Sequence, residues 1–291
     1  MNYSILYNQS LKRYNTLKIE SKAHAIAFPF NCEGVQDIYR NYKERKIVVI
    51  GRGSNILLSK EYYSEEYLFL NLKLMDNIEI SRNKILCEAG TSLSELAWYT
   101  VENNIQGFEF LEDIPGTIGG AVIMNAGTYE DNISKLIDKI TYYDIDKDII
   151  ITEEVTYENF GRRSSKWSSG NYVVISCEFK ALQGDYLKSL DKLLEVKKQR
   201  YLKQPRNYPN AGSVFKRPVV NGEELQVWKL VNDAGLSGLK TNDAMISDKH
   251  TGFIINAGNA TYQDLVHLID LIKQTIKEKY DVNLELEWKI I

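Results

Sequence analysis

The run EDIPGTIGGAVIMNAG, Glu112 to Gly127, determines how the rest of this chain is interpreted. With the earlier run GRGSN at residues 51–55, it concentrates glycines in two loops. Glycine permits positive φ and lets backbone N–H groups approach a ligand closely, so the loops predict a bound anion such as a pyrophosphate. Tight turns between strands remain the simpler explanation for any single glycine pair. The glycines concerned are Gly51, Gly53, Gly116, Gly119, Gly120 and Gly127.

Neither loop matches the common nucleotide-binding motifs. GRGSNI supplies Gly-x-Gly but has Ile56 where the dinucleotide motif requires a third glycine, and the following LLSKEYYSEEYLFL is a poor opening for a helix. The chain also has no Gly-Lys-Ser/Thr, which excludes a P-loop. The glycines are therefore predicted to hold a ligand outside a Rossmann helix start.

The bulk composition is that of an ordinary globular protein. Its 291 residues are 44% hydrophobic and 26% charged, which favours two or more folding units with a large core. The net charge of -3 argues against general nucleic-acid binding. Three separated cysteines and three scattered histidines support neither a disulfide framework nor a metal site. There is no signal-type N-terminus and no run of 18 apolar residues, so we expect a cytoplasmic protein with no membrane partner.

The amino-terminal half is predicted to contain short strands and one clear helix. KIVVI at 46–50 and ILCEAG at 85–90 are predicted strands that each run into glycine. Ser92 and Glu95 have the spacing of a capping box at the start of a helix. The apolar face of that helix is predicted to comprise Leu93, Leu96, Ala97 and Val101.

A hairpin, a strand and a long helix are predicted next. Residues 139–160 are rich in β-branched and aromatic side chains with a turn near 146–148, and residues 171–182 predict a further strand. The helix that follows must stop before Pro205. A change of composition near residue 185 is the predicted domain boundary.

The last third of the chain predicts two more helices and a strand. A short helix is expected to end at Gly235, and Thr261 with Asp264 has capping-box spacing at the start of the final helix. Residues 282–291 alternate in polarity and predict a closing strand. Because strands and helices mix without a regular βαβ period, the predicted fold class is α+β.

A basic tract surrounds a serine turn. Residues 196–217 carry seven cations and no carboxylate. Lys197 and Lys198 suit a solvated helix face, whereas Lys216 and Arg217, at the end of YPNAGSVFKRP, predict a phosphate or carboxylate partner. Ser213 in that run either satisfies its own turn or takes part in chemistry.

These runs, in this order, resemble the UDP-N-acetylenolpyruvoylglucosamine reductases, also called UDP-N-acetylmuramate dehydrogenases. Members of that family are bacterial flavoenzymes of peptidoglycan precursor synthesis. The resemblance extends from about Asn15 to the C-terminus and is to the compact subgroup without an extra substrate-covering loop. The motifs that carry it are YNTLKIESKA, GRGSNILL, DIPGTIGGAVIMNAGTY, GRRSSKW, RYLKQP, NAGSVFKRP, GLSGLKTNDAMISDKHTGFIIN and LELEWKII.

The resemblance implies a vanillyl-alcohol-oxidase-type FAD module in two α+β subdomains, at 1–80 and 81–185, followed by an α+β substrate domain at 186–291. It implies NADPH as cosubstrate and non-covalent FAD, because GRGSN has no histidine or cysteine for attachment. The expected FAD contacts are Gly51, Arg52, Gly53, Ser54, Asn55, Pro115, Gly116, Thr117, Gly119, Gly120, Asn125, Ala126 and Gly127. The expected substrate contacts are Lys203, Gln204, Lys216 and Arg217.

The family reaction reduces the enolpyruvyl ether of UDP-N-acetylglucosamine enolpyruvate to a lactyl ether. NADPH reduces FAD, NADP⁺ leaves, and hydride then passes from the flavin to the substrate alkene. Negative charge develops beside the substrate carboxylate, so one group must stabilise it and another must supply a proton. Ser213 matches the family's proton donor, with Lys216 close enough in sequence to favour its alkoxide. Arg163 matches the carboxylate-binding arginine, and Glu287 matches the C-terminal glutamate, for which we expect a raised pKa.

Some positions leave a choice or depart from the family pattern. Arg162 replaces the tyrosine that usually precedes the arginine, and Glu285 competes with Glu287 from the same strand face. Asp113 and Arg217 stand where the family commonly has glycine and asparagine. The alternative functions are a flavin oxidase of sugars or lactones and a catalytically silent flavin-binding module. The expected state is a monomer.

Overall fold

The computed structural model describes residues 2–127 and 131–291. Its α-helices are Cys32–Asn41 (α1), Leu93–Glu102 (α2), Ile118–Met124 (α3), Tyr186–Lys203 (α4), Val227–Asp233 (α5) and Tyr262–Tyr280 (α6). Its strands are Tyr3–Ser10 (β1), Lys22–Pro29 (β2), Lys46–Ile50 (β3), Ile56–Leu57 (β4), Tyr62–Tyr63 (β5), Tyr67–Asn71 (β6), Ile78–Ser81 (β7), Lys84–Glu88 (β8), Ile105–Gln106 (β9), Ile137–Asp144 (β10), Ile149–Glu154 (β11), Phe160–Gly161 (β12), Ser164–Ser165 (β13), Tyr172–Lys180 (β14), Leu182–Gln183 (β15), Val219–Val220 (β16), Glu223–Glu224 (β17), Lys240–Thr241 (β18), Ala244–Ile246 (β19), Ile254–Asn256 (β20) and Lys289–Ile290 (β21).

The chain forms two compact units that are discontinuous in sequence. The first comprises the residues up to Gln9, Ala23–Arg52 and Ser64–Arg200, and the second comprises Ser10–Lys22, Gly53–Tyr63 and Tyr201–Ile291. The predicted ranges 1–80, 81–185 and 186–291 follow sequence order and do not coincide with these units.

Burial explains where the compact units differ from the predicted ranges. Most of α4 belongs to the first unit, because Leu193 is completely buried in that unit's core. Two early segments belong to the second unit, because Leu17 and Leu57 are completely buried in the second core. Local composition does not reveal these long-range contacts, since each side chain would be equally apolar in either core.

One sheet of the first unit carries the strand that leads into the first glycine loop. Its strand order is β1-β2-β6-β3, and β6 pairs in parallel with both β2 and β3. The predicted strand at 46–50 is confirmed as β3. Gly51 therefore follows the carboxyl end of a strand whose neighbour runs in the same direction.

The second sheet of the first unit is antiparallel, with strand order β11-β10-β14-β8-β7. It confirms the predicted hairpin as β10 and β11, and the predicted strands as β8 and β14. Cys87 and Cys177 lie directly opposite each other on β8 and β14, and both are completely buried. The sheet thus has one apolar face against the core of the unit.

Helix α2 has the predicted apolar face but not the predicted cap. Leu93, Leu96, Ala97 and Val101 are all buried. Ser92 is the N-cap residue, yet its side chain makes no capping hydrogen bond. The predicted capping box with Glu95 is therefore wrong. The Ser92 hydroxyl instead accepts a hydrogen bond from Nη1 of Arg52 at 3.4 Å, which draws it away from the helix amides.

The second unit is built on a three-stranded antiparallel sheet, β18-β19-β20, and on helix α6. The predicted capping box at the start of α6 is confirmed, because Thr261 and Asp264 each accept a hydrogen bond from the other's backbone N–H. Helix α5 ends as predicted, with Gly235 at a φ of +81° just beyond its last turn.

The closing strand is shorter than predicted. Only Lys289–Ile290 is regular strand, paired in parallel with β4, while Leu286 forms an isolated bridge to Phe215. The segment opposite Leu286 is interrupted by Gly212, at a φ of +75°, and by Pro218, which has no N–H to donate. A longer ladder cannot form on such a partner.

Within residues 2–127 and 131–291, no helix combines the length and apolar character needed to cross a membrane.

Candidate active site

The first glycine loop begins at Gly51, which lies against the second glycine loop. A Cβ placed on Gly51 would lie only 2.6 Å from Oγ1 of Thr117, so a larger residue here would require the Thr117 side chain or the loop to shift. The amide Nδ2 of Asn71 donates hydrogen bonds to the carbonyl oxygens of Ile50 and Gly51, at 3.1 and 3.0 Å. Asn71 is buried at the end of the apolar strand YLFLN, which is the one sequence signal for its role.

The second glycine loop enters helix α3 through backbone hydrogen bonds. Its first two helical N–H groups, from Ile118 and Gly119, are bound by the carbonyls of Thr91 and Ala89, both at 2.9 Å. A Cβ on Gly119 would lie 3.1 Å from Cβ of Ala89, so this glycine serves close packing. The N–H of Gly119 is therefore occupied by the protein itself and not by a ligand.

Gly120 differs from Gly119 in having open space beside it. A Cβ on Gly120 would meet only Oγ1 of Thr117 among the described residues, at 3.7 Å. The carbonyl oxygen of Gly116 accepts a hydrogen bond from the N–H of Leu93 at 3.1 Å, which fixes the loop onto α2. The open side of the loop therefore lies beside Gly120 in the first turn of α3.

The end of the second loop is joined to the short hairpin β12–β13. Asn125 has a left-handed φ of 42°, and its Nδ2 donates to the carbonyl of Gly161 at 3.1 Å. The N–H of Ala126 donates to the carbonyl of Ala121 at 2.9 Å. A Cβ on Gly127 would lie 2.2 Å from a backbone oxygen, so no other residue fits there.

The hairpin places its two arginines in different environments. Phe160 pairs with Ser165 and Gly161 with Ser164, so the two arginines form a two-residue turn. Arg163 has a φ of 52°, a conformation that costs a non-glycine residue energy and often marks a functional site. Its Nη1 donates to the carbonyl of Gly127 at 3.4 Å, and the side chain is half-buried, whereas Arg162 is exposed. These contacts support Arg163 as the functional arginine.

The run GRGSN is divided between the two units. Arg52 lies in the first unit and contacts Ser92, while Gly53 to Asn55 lie in the second. Gly53 has a φ of +65°, and a Cβ on it would lie 2.1 Å from the carbonyl oxygen of Tyr14. Asn55 donates from Nδ2 to the carbonyl of Glu287 at 3.0 Å, so in the second unit it holds the C-terminal segment.

The second unit brings the serine turn next to the C-terminal glutamate. The N–H of Glu287 donates to the carbonyl of Val214 at 2.9 Å. The N–H of Val214 in turn donates to the carbonyl of Gly252 at 3.0 Å. Ser213 is exposed and Glu287 is half-buried. Two of the three predicted catalytic residues therefore lie on segments that hydrogen-bond directly to each other.

Glu285, the competitor of Glu287, already has a partner. Its carboxylate forms an ion pair with Nζ of Lys216 at 2.5 Å, and 74% of the Glu285 side chain is exposed. This pairing gives the Glu285 carboxylate a structural role. It also changes the interpretation of Lys216, whose charge is directed at Glu285. Burial, and then the charge of Lys216, lower the pKa of Lys289.

The other predicted substrate-binding cations are distributed as follows. Arg217 binds Glu224 through Nη1 at 3.0 Å, so both cations of the serine turn have carboxylate partners within the protein. Lys203 is exposed at the end of α4, and Gln204 is half-buried just after it. Lys203 therefore keeps an accessible charge beside the start of the serine turn.

Lys197 is half-exposed on α4, as a solvated helix face predicts, but its ammonium is bound to a buried carboxylate. Its Nζ binds Oε1 of Glu112 at 2.7 Å, and Glu112 is only 2% exposed. Five residues earlier on α4, Lys192 binds Oε2 of the buried Glu109 at 3.1 Å. Burial opposes the charge of Glu109, but the N–H of Gly107 and the Lys192 ammonium outweigh it and lower its pKa.

These two ion pairs attach α4 to the segment that leads into the second glycine loop. The sequence signal for them is a pair of carboxylates, three residues apart, inside the apolar run GFEFLEDI. Lys198, in contrast, is 66% exposed and lies 3.6 Å from Glu195, as a solvated face predicts.

The arrangement fits a cofactor with a diphosphate. Both loops contain glycines that cannot carry a Cβ, and the loops touch where Gly51 meets Thr117. The open backbone at Gly120 lies at the start of a helix, where a phosphate is stabilised. In the part of the chain that the structure describes, no group of three His, Cys, Asp or Glu side chains is placed to hold a metal ion.

Two family models match the chain. Residues 23–146 match an FAD binding domain, and residues 204–291 match the C-terminal domain of UDP-N-acetylenolpyruvoylglucosamine reductase. These matches confirm the predicted α+β fold with an FAD-binding domain followed by a second domain, and they show a flavoprotein.

Full-length relatives agree with both models. The chain is 35% identical over 286 residues to the UDP-N-acetylenolpyruvoylglucosamine reductase of Caldanaerobacter subterraneus subsp. tengcongensis, covering 98% of this chain and 92% of that protein. It is 36% identical over 286 residues to the enzyme of Francisella tularensis, covering 97% and 98%. The crystal structure of the reductase from Thermus caldophilus matches with a TM-score of 0.81 at 27% identity, covering 100% and 99%. The chain belongs to the UDP-N-acetylenolpyruvoylglucosamine reductase family.

Proposed function

We propose that this protein uses NADPH to reduce UDP-N-acetylglucosamine enolpyruvate to UDP-N-acetylmuramate, a step of peptidoglycan precursor synthesis. The observation that carries the proposal is the hydrogen bond from the N–H of Glu287 to the carbonyl of Val214. It holds the candidate acid segment beside Ser213, inside a chain whose relatives carry the reductase name. FAD, when bound, supplies the hydride for the alkene.

Ser213 donates the proton that completes the reduction. Its hydroxyl is exposed, so a substrate carbon can approach it, and its backbone is fixed through Val214 and Gly252. A serine hydroxyl is a weak acid, so the substrate carbanion must be placed within hydrogen-bond reach for transfer to be fast. The charge of Lys216 is directed at Glu285, which argues against direct activation of the serine by this lysine.

Glu287 and Arg163 act on the substrate carboxylate and on the charge that develops beside it. Glu287 is half-buried, as a group that must be protonated or hydrogen-bonded would be. The guanidinium of Arg163 offers a planar fork of donors to a carboxylate. Its left-handed backbone and its bond to Gly127 hold the guanidinium at the tip of the hairpin.

The glycine loops bind the cofactor through their backbone. Gly120 and Thr117 offer the open first turn of α3 to a phosphate, while Gly51 and Gly119 allow the loops to pack closely. Asn71 turns the carbonyls of residues 50 and 51 away from that side by binding them itself. A non-covalent FAD is consistent with GRGSN, which has no histidine or cysteine for attachment.

The experiment is an NADPH oxidation assay on the purified, FAD-loaded protein. We expect oxidation that depends on UDP-N-acetylglucosamine enolpyruvate and a product heavier than the substrate by two hydrogens. Oxygen consumption with a sugar or lactone, and no response to the UDP-enolpyruvyl compound, would instead identify a flavin oxidase. A flavin-bound protein without turnover on any of these compounds would identify a silent binding module.

The two C-terminal glutamates provide a matched test of roles. Glu287→Gln should slow substrate reduction by about 10²- to 10⁴-fold, as expected for loss of a positioned acid. Glu285→Gln removes the same charge two residues away. Because this substitution only breaks the exposed ion pair with Lys216, turnover should change less than about threefold. Equal effects of the two substitutions would contradict the assignment.

A further inference from the structure

Trp228 differs from the other tryptophan of the second unit because much of its surface is open to solvent. It is 44% exposed, whereas Trp288, in the core of the same unit, is 3% exposed. Trp228 lies in the first turn of α5, shortly after the hairpin β16–β17. A single exposed apolar side chain is common in proteins, so its surroundings must decide whether it has a function.

Trp228 is attached to the loop that also holds the serine turn. The hydroxyl of Thr251 donates to the carbonyl of Trp228 at 2.5 Å, and a Cβ on Gly252 would lie 3.4 Å from Cβ of Trp228. The carbonyl of Gly252 accepts a hydrogen bond from the N–H of Val214, the residue after Ser213, at 3.0 Å. One short loop of the second unit therefore contacts both Trp228 and the backbone next to the candidate proton donor.

A neutral imidazole packs against the indole. The ring of His250 lies 6.1 Å from that of Trp228 and 4.8 Å from that of Phe253. Nδ1 of His250 accepts a hydrogen bond from the N–H of Gly252 at 3.2 Å, which fixes the orientation of the ring. Burial, and then the charge of Arg217, lower the pKa of His250, so this ring is neutral at physiological pH. Trp228 and His250 thus form an uncharged aromatic surface, the Trp228–His250 platform.

Positive charge borders this platform. The guanidinium of Arg217 lies close enough to His250 to affect its protonation, and 29% of the Arg217 side chain is exposed. The N–H of Leu225 donates to the carbonyl of Pro218 at 2.9 Å. This bond closes the segment between Arg217 and α5 into a hairpin, so the chain returns to the neighbourhood of Arg217 just before it reaches Trp228.

We propose that Trp228 is a substrate-binding residue whose indole stacks on the base of a nucleoside diphosphate. Along the second unit, Ser213 is followed by Lys216 and Arg217, and the hairpin then leads to the Trp228–His250 platform. A substrate that carries its reacting group, its diphosphate and its base in a row has its parts in the same order. Every nucleobase offers a flat face on which an aromatic side chain can stack. The inference rests on the proposed function, because it takes the substrate to be a UDP compound.

The test is calorimetric titration of UDP and, separately, of inorganic pyrophosphate into protein saturated with FAD, so that the cofactor's own site is filled. Trp228→Ala should weaken UDP binding by about 5- to 150-fold, the range for loss of one base–aromatic stack. It should leave pyrophosphate binding unchanged, because pyrophosphate has no base. Trp228→Phe should retain most of the UDP affinity. Tyr280→Ala, which removes an exposed aromatic ring at the end of α6, should bind UDP as tightly as wild type.

Tryptophan fluorescence gives a second, direct signal of the stack. Saturating UDP should quench the fluorescence of wild type and should quench that of Trp228→Phe much less. Thermal unfolding controls for folding, and if Trp228→Ala does not fold, Trp228→Leu carries the test, because leucine keeps an apolar side chain without a ring.

The inference is overturned if UDP does not bind, or if the variant that removes the ring binds UDP as tightly as wild type. It is also overturned if pyrophosphate binding weakens as much as UDP binding, since the loss would then have nothing to do with the base. Failure of wild type to oxidise NADPH with UDP-N-acetylglucosamine enolpyruvate would instead contradict the proposed function, because UDP binding is measured without turnover.

Discussion

Gly51→Ala tests whether the two glycine loops frame one cofactor site. The added Cβ would lie 2.6 Å from Oγ1 of Thr117, while ordinary contact begins at 3.4 Å, so the Thr117 side chain must rotate or the loops must separate by about 0.8 Å. Overpacking of this kind costs about 1–3 kcal/mol. The free protein can relieve the strain by letting the loops part, whereas bound FAD requires them together. The FAD dissociation constant should therefore rise about 5- to 150-fold.

Fluorescence titration of FAD into apoprotein measures this effect, and a second substitution tests its cause. Thr117→Ala removes the clashing oxygen, because the Cβ of Thr117 would be 3.7 Å from the new methyl group. The double variant Gly51→Ala/Thr117→Ala should bind FAD more tightly than the sum of the two single changes in binding free energy predicts. Gly184→Ala is the matched control. Its new Cβ would lie 2.7 Å from Cβ of Gln106, beside the β9–β15 pair and outside both glycine loops. It should lower stability without changing FAD affinity. Unchanged affinity in Gly51→Ala, or additivity in the double variant, would refute the reasoning.

Three further predictions concern stability. Cys177→Ser places a hydroxyl at a completely buried position, so the free energy of unfolding in urea should fall by about 1–3 kcal/mol. An unchanged midpoint of the urea transition would show that water reaches this position. Lys197→Met leaves the charge of Glu112 buried and should lower the free energy of unfolding, measured thermally, by about 1–3 kcal/mol. The loss is smaller than for a fully buried pair because Lys197 is half-exposed. Adding Glu112→Gln should restore most of the lost stability, and failure to do so would contradict the ion-pair explanation. Burial opposes the charge of Asp264, but hydrogen bonds from Thr261 and Asn242 outweigh it and lower the pKa of Asp264. The carboxylate therefore stabilises the fold above pH ~3.9, and this stabilisation is lost as the pH falls through the folded pKa. The difference in unfolding free energy between wild type and Asp264→Asn should narrow below pH ~3.9, and a difference independent of pH would contradict this.

Local patterns predicted most of the regular elements. The 3.6-residue periodicity identified α2 with its buried face, and the content of β-branched and aromatic residues identified the β10–β11 hairpin. The capping-box spacing predicted the helix cap correctly at Thr261 and wrongly at Ser92. The difference is physical: at Ser92 a guanidinium from residue 52 competes for the hydroxyl, and helix spacing carries no information about it.

Contacts distant in sequence could not be predicted in this way. Lys197 and Glu112 are 85 residues apart, and only the packing of α4 brings the ammonium to that carboxylate. Asn71 looks like an ordinary strand terminus until its amide is seen to bind two loop carbonyls. The interpretation of Glu285 also required the structure, because the sequence does not show that its carboxylate binds Lys216.

Asp113 shows how a departure from the family pattern is accommodated. Its φ is 63°, the left-handed region where glycine is the usual residue and where aspartate is among the better tolerated replacements. Its N–H donates to Oγ of Ser94 at 3.0 Å, which fixes the turn before the glycine loop. The loop is thus kept in place without glycine at this position.

The most direct test of the central claim is a stopped-flow comparison of the two half-reactions in wild type and Ser213→Ala. Flavin reduction by NADPH should proceed at the wild-type rate, because the hydroxyl takes no part in it. Reoxidation of the reduced protein by UDP-N-acetylglucosamine enolpyruvate should slow by about 10²- to 10⁴-fold, the contribution of a positioned proton donor. Reoxidation at the wild-type rate would show that the proton comes from another group and that Ser213 only completes its turn.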